Sequence, residues 1–115
     1  MGGAFISGVS MKLYISGAIT GNANYKQEFA DARAKLESIG YEVCDPAAFG
    51  FPDDITWEAA MKYDIRKMLE CDGVALLPSW RKSRGARVEA RLAKDLGITA
   101  RPLSAWLTNE KVPTK

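Results

Sequence analysis

The chain has 115 residues, 47% of them hydrophobic and 26% charged, with a formal net charge of +2. These values bound one compact globular domain: too short for two cores, too weakly charged to imply a nucleic-acid or membrane partner, and without the ~20-residue apolar run of a membrane span. Histidine is absent, which removes Ser-His and Cys-His nucleophile pairs and most zinc sites and leaves catalysis to carboxylates, tyrosines or lysines.

Residues 1–10 are glycine-rich and lack the basic start and long apolar segment of a signal peptide. They read as a loose leader or an alternative start, because Met11 opens a coherent strand, about Lys12–Ser16. The loop Ser16-Gly17-Ala18-Ile19-Thr20-Gly21 follows. It is neither a Walker A loop nor Gly-x-Gly-x-x-Gly, and reads equally as a tight turn or as a phosphate or ribose cradle. The next segment predicts a helix over Tyr25–Ile39 with the apolar stripe Tyr25, Phe29, Ala32, Leu36 and Ile39, closed by Gly40. All of its charged residues fall outside that stripe.

Tyr41–Cys44 reads as a second strand. Asp45–Ile55, with Pro46, Gly50 and Pro52, is a long irregular loop of the kind that carries function. Asp45 fits a ribose-binding acid or an Asp-Pro turn equally well. Thr56 is a good N-cap for a helix to about Glu70, whose stripe is Trp57, Met61, Ile65 and Met68. Asp64 projects from the middle of that stripe, with Arg66 or Lys67 near enough in sequence to neutralise it.

Gly73–Leu77 is a short buried strand bounded by Asp72 and Pro78. The loop Pro78–Gly85 holds Trp80-Arg81-Lys82-Ser83-Arg84, an aromatic beside three cations. That set fits stacking on a base and neutralising a phosphate, or a solvated loop. A helix over Ala86–Leu96 closes at Gly97, and with Ser83, Arg84 and Gly85 before Ala86 it completes a strand–loop–helix geometry common at phosphate sites. On this helix Leu92, Ala93 and Leu96 share the core side, and Glu89 falls among them. An acid near a helix N-terminus gains ~0.3–1 kcal/mol from the helix dipole without any other role. A carboxylate on a core face is nonetheless costly unless paired or used. Ile98–Arg101 is a fourth strand and Leu103–Leu107 a docking turn, with residues 108–115 as a flexible tail.

Strands alternating with helices give a three-layer, flavodoxin-like or Rossmann-like sandwich over residues 11–107. Its parallel sheet has roughly four to five strands, with helices on both faces. Ligands in such folds bind at the carboxyl ends of the strands. Two inward acids on separate helices, Asp64 and Glu89, point to acid–base or nucleophilic work at one cleft. Cys44 and Cys71 lack metal-type spacing and read as free cytoplasmic thiols.

Three anchors lie in order: Leu13-Tyr14-Ile15-Ser16-Gly17 with Ile19 and Gly21, Asp64 eight residues before Asp72, and Ser83-x-Gly85-x-x-x-Glu89. On these the chain, over about Met11–Pro102, resembles the nucleoside 2-deoxyribosyltransferase family, including its 2′-deoxynucleoside 5′-monophosphate N-glycosidase branch and small phage and prophage members. The resemblance implies Glu89 as the nucleophile on the anomeric carbon, Asp64 as the acid that assists the leaving base, and Tyr14 as the residue that positions Glu89. Ser83 matches a position that is serine in the monophosphate hydrolases and aspartate in the transferases. Two departures stand in the first loop, where the hydrolases carry serine at Ala18 and arginine at Thr20. A third is Ala90-Arg91 in place of Leu-Gly.

The resulting expectation is hydrolysis of a 2′-deoxynucleoside 5′-monophosphate without metal or organic cofactor, by a cytoplasmic homo-oligomer (a dimer or a dimer of dimers). The first loop, Asp45, Trp80 and Ser83–Ala86 would hold the nucleotide or nucleoside. Trp57, Met61, Met68 and the aromatic-rich Phe49–Trp57 segment would supply the subunit interface. Two alternatives are a nucleotide-sensing protein without turnover and an accessory protein binding single-stranded nucleic acid through Trp80.

Overall fold

A computed structural model describes residues 11–108. The leader 1–10 and the tail beyond Thr108 lie outside the described residues. The elements are β1 (Lys12–Ser16), α1 (Tyr25–Ser38), β2 (Glu42–Cys44), a 3-10 turn (Pro46–Ala48), α2 (Trp57–Leu69), β3 (Gly73–Leu76), a second 3-10 turn (Trp80–Lys82), α3 (Arg84–Asp95), β4 (Thr99–Pro102) and α4 (Leu103–Leu107).

All strand pairs are parallel, in the order β2-β1-β3-β4. Strand alternation splits the core in two. Leu13, Ile15, Ala75 and Leu77 point to one face and pack on Phe29, Ala32 and Leu36 of α1 and Trp106 of α4. Tyr14, Val74 and Leu76 point to the other and pack with Met68 of α2 and Ala93 of α3. The result is the three-layer α/β sandwich expected, of Rossmann or flavodoxin type. Its order reverses between β1 and β3, the place where such sheets open a crevice at their carboxyl ends.

Trp106 ties the last helix to the sheet, its Nε1 donating to the Val74 carbonyl at 3.0 Å. The close approach of the first loop to the end of β3 requires Gly17, since a Cβ there would lie 2.8 Å from Leu77 Cδ1. Among the described residues no helix is long and apolar enough to cross a membrane.

The third helix begins two residues earlier than its periodicity suggests. Ser83 is the N-cap and accepts from the Ala86 amide at 3.0 Å. Glu89 therefore stands in the second turn, beyond a capping-box position and past the strongest dipole field. Leu96, expected in the core, is 55% exposed at the C-cap, and Ile39, expected on the α1 stripe, is exposed where that helix has ended. Met61 and Met68 cover the protein's own core, at 7% and 0% exposure. They do not supply the free apolar surface expected for a subunit interface.

Candidate active site

Two helices use the same device. In α3 the buried positions are Ala86, Glu89 and Ala93, and in α2 Met61 and Met68 flank Asp64. Each is an i, i+3, i+7 stripe with an acid at its centre. The alanines beside Glu89 let α3 lie close to the sheet. Gly85 lets the start of α3 approach α2, since a Cβ there would sit 2.9 Å from Met61 Sδ.

Opposite Glu89, β1 presents Tyr14 and Ser16, two residues apart and so on one face of the strand. Tyr14 OH donates to Glu89 Oε2 at 2.8 Å, and Ser16 Oγ donates to Oε1 at 2.7 Å. Glu89 is 4% exposed, and both of its oxygens are met by a donor. Burial pushes its carboxyl up to about 7, against the opposing effect of the Ser16 and Tyr14 hydrogen bonds, with the nearby Asp64 and Cys44 raising it further. The Tyr14 hydroxyl is held well above its ordinary range, first by burial and then by Glu89. It stays a donor.

Asp64 is the contrasting acid. Its Oδ1 is buried and has no hydrogen-bond partner. Burial pushes its carboxyl up to about 6. Arg66 and Lys67 do not reach back to neutralise it: both lie over the Tyr63 ring, at 5.7 and 5.6 Å from its centroid.

Asp64 and Glu89 line one cavity of about 360 Å³, of the size that takes a small-molecule ligand. Gly17, Ile19, Thr20 and Ser83 form its edge at the strand ends, and Phe51, Ile55, Trp57 and Met61 its apolar wall. The wall was legible only as an aromatic-rich loop. Phe49, Phe51 and Tyr63 pack edge to face on one another, which fixes Phe51 toward the cavity. The Arg84 guanidinium lies 3.7 Å from the centre of the Trp57 ring, holding that indole in place.

The other expected contacts fall elsewhere. Trp80 lies on a separate groove with Ala90, Lys94 and Ile98, under the Arg81 guanidinium at 4.9 Å. The cation–aromatic pair exists, but β3 and α3 carry it away from the cavity. Asp45 is the turn residue: its Oδ1 accepts from the Ala47 amide at 2.9 Å and its Oδ2 lies 4.0 Å from Arg33. It does not line the cavity. Ala18 and Gly21 line an adjoining groove with Thr20, Asn22, Ser79 and Lys82. Gly85 and Ala86 serve helix packing and capping, and Ser16 is committed to Glu89. Cys44 and Cys71 are free thiols, and Cys44 stands beside Tyr14 in the β1–β2 register.

The fold and site thus define a small parallel α/β domain with a carboxylate-centred pocket at the carboxyl ends of β1 and β3. The chain belongs to the family described as Domain of unknown function (DUF4406), whose model matches residues 11–100. That span runs from β1 into β4 and holds every residue of the pocket. Comparison with curated proteins finds no match.

Proposed function

We propose that this protein cleaves the N-glycosidic bond of a 2′-deoxynucleoside 5′-monophosphate, releasing free base and deoxyribose 5-phosphate. The observation that carries the reading is the buried Glu89 carboxylate, gripped at both oxygens and sharing one sugar-sized cavity with an unpartnered second acid. An ionised Glu89 oxygen attacks C1′ as the C1′–N bond breaks. The bond's electron pair goes to the base nitrogen, which takes the Asp64 proton. Water then attacks C1′ of the glycosyl ester, gives its proton to Asp64, and frees Glu89. The transition state resembles an oxocarbenium ion, which the adjacent carboxylate stabilises.

The base lies against Trp57 and Phe51, and the sugar between the two acids. The phosphate is assigned to the Thr20–Ser83 edge, where the adjoining groove offers Lys82. Thr20 contributes a hydroxyl where the hydrolases that the sequence resembles carry arginine, so Lys82 must supply the charge. The free thiols and the nucleotide substrate fit a cytoplasmic enzyme. The exposed apolar side chains of Leu69, Val88 and Leu96 support a homo-oligomer.

A second reading has its own support. The residues lining the Glu89–Asp64 cavity include two carboxylates and no lysine or arginine, which favours a neutral deoxynucleoside and base exchange. Incubation with a panel of deoxynucleosides and their 5′-monophosphates, followed by chromatography, separates the two. Free base from monophosphates alone, lost in Glu89→Gln, supports hydrolysis. Exchange between unphosphorylated nucleosides with little free sugar supports transfer. Tight nucleotide binding with no base released, unchanged in Glu89→Gln, would overturn both in favour of a nucleotide sensor.

A further inference from the structure

The structure assigns Ser16 as a positioning residue that fixes the nucleophilic carboxylate and, as a donor to it, favours its anion, a role that rests on the glycosidase reading of Glu89. Ser16 stands in the loop whose residues were expected to cradle substrate, yet it is 1% exposed and does not line the cavity. Its hydroxyl donates to Glu89 Oε1 at 2.7 Å. Substrate therefore meets Glu89 and not Ser16, and any effect of Ser16 on turnover passes through the carboxylate.

The two donors are not equivalent. Tyr14 lines the cavity, and its hydroxyl holds Oε2. Ser16, which does not line the cavity, holds Oε1. One donor alone would leave the carboxyl free to rotate about its terminal torsion, which is broad and roughly two-fold. With both donors present the carboxyl plane is set before substrate arrives, and reaction requires no reorganisation there.

The electrostatics follow the geometry. The groups acting on Glu89 are Tyr14 and Ser16 of β1, Asp64 of α2 and Cys44 of β2. Burial, Asp64 and Cys44 disfavour the anion, while Ser16 and Tyr14 favour it. Ser16→Ala removes one of the two favourable groups and leaves the unfavourable ones in place. The Glu89 carboxyl then titrates higher, by about one unit for the loss of one hydrogen bond to a charged group.

The test combines rate and titration on the full chain. Ser16→Ala is expected to slow base release about tenfold at pH 5.5, where the ionised fraction of Glu89 limits the rate, and less than about threefold at pH 8.5. A carbon-13 titration of the Glu89 carboxyl, with Glu89→Gln to assign the signal, should move up by about one unit. Ser16→Cys, nearly isosteric and a weaker donor, should fall between the two and guards against a packing fault at this buried position. An equal loss at both pH values with an unmoved titration would overturn the assignment. If the wild-type protein releases no base from any nucleoside or nucleotide, the glycosidase reading fails instead. The titration then still decides whether Ser16 sets the ionisation of Glu89.

Discussion

At the scale of single residues, the two acids carry opposite instructions. In the proposed reaction Glu89, hydrogen-bonded at both oxygens, must be ionised to attack, whereas Asp64, with its Oδ1 unpartnered, must be protonated to give its proton away. Both carboxyls are raised in the folded state, chiefly by burial, Glu89 to about 7 and Asp64 to about 6. The folded protein therefore binds more protons than the unfolded chain in the window between the ordinary carboxylate range and pH 7. Stability falls as pH rises through that window and levels off above it. Glu89→Gln removes a buried anion that is present only above the window. Thermal melts should show the variant stabilised at pH 8, by on the order of a few kcal/mol at most, and nearly unchanged at pH 5. A melting difference independent of pH would refute the raised Glu89 ionisation. For Asp64 the discriminating variant is Asp64→Asn. It should lower release of a natural base by about 10²–10⁴-fold, the usual range for general acid catalysis. A 2-deoxyribosyl donor whose leaving group departs as a stable nitrophenolate needs no proton, and its turnover should be almost unaffected. Equal losses on both donors would remove Asp64 from the proton-transfer role.

Among the elements, α3 and the loop before it do most to build the pocket, and here the sequence was legible in part. The period of α3 put Glu89 on the buried side because it falls among Leu92, Ala93 and Leu96, of which Ala93 is buried and Leu96 is not. The helix start was misread because Ser83 is followed by Arg84 and Gly85, poor signals for a first turn. The loop from β2 to α2 was legible as functional only from its length and irregularity. Nothing in the periodicity of an irregular loop says that Phe51 turns inward onto Tyr63 or that Trp57 lies beneath Arg84. Two glycines test the packing of these elements. At Gly17 an added Cβ would meet Leu77 Cβ at 2.9 Å, close to the backbone of its neighbour. Gly17→Ala should thus cost about 1–3 kcal/mol in denaturant unfolding and displace the first loop. At Gly85 the obstacle is the mobile end of Met61, and alanine gains up to ~1 kcal/mol of helix propensity. Gly85→Ala should be close to neutral in stability while shifting Met61, a cavity wall, and so weakening substrate binding. Destabilisation at Gly85 as large as at Gly17 would show that Met61 cannot yield.

For the whole molecule, the topology was readable because each strand–helix alternation is local and parallel crossovers leave few arrangements. Assignments that depend on distant segments were not. Asp45 and Trp80 carry suitable chemistry, but the sheet order places one on a turn beside Arg33 and the other behind α3, and neither fact has a local signature. The same limit applies to the subunit interface, since the methionines expected to form it are buried within the chain. The exposed apolar residues of the α2–α3 layer suggest a different surface. Val88 and Leu96 are 39% and 55% exposed, and with Leu92 they form an i, i+4, i+8 stripe on α3. Arg87, Arg91 and Lys94 flank that stripe. In a two-fold dimer each stripe would meet its own copy, bringing two basic flanks together. Screening relieves that repulsion while apolar burial remains. Sedimentation equilibrium should therefore show a dimer that tightens as salt rises from low ionic strength, and Val88→Asp with Leu96→Asp should sediment as a monomer whose melting temperature no longer rises with protein concentration. A wild-type monomer at high micromolar concentration, or a dimer that weakens with salt, would place the contact elsewhere or remove it.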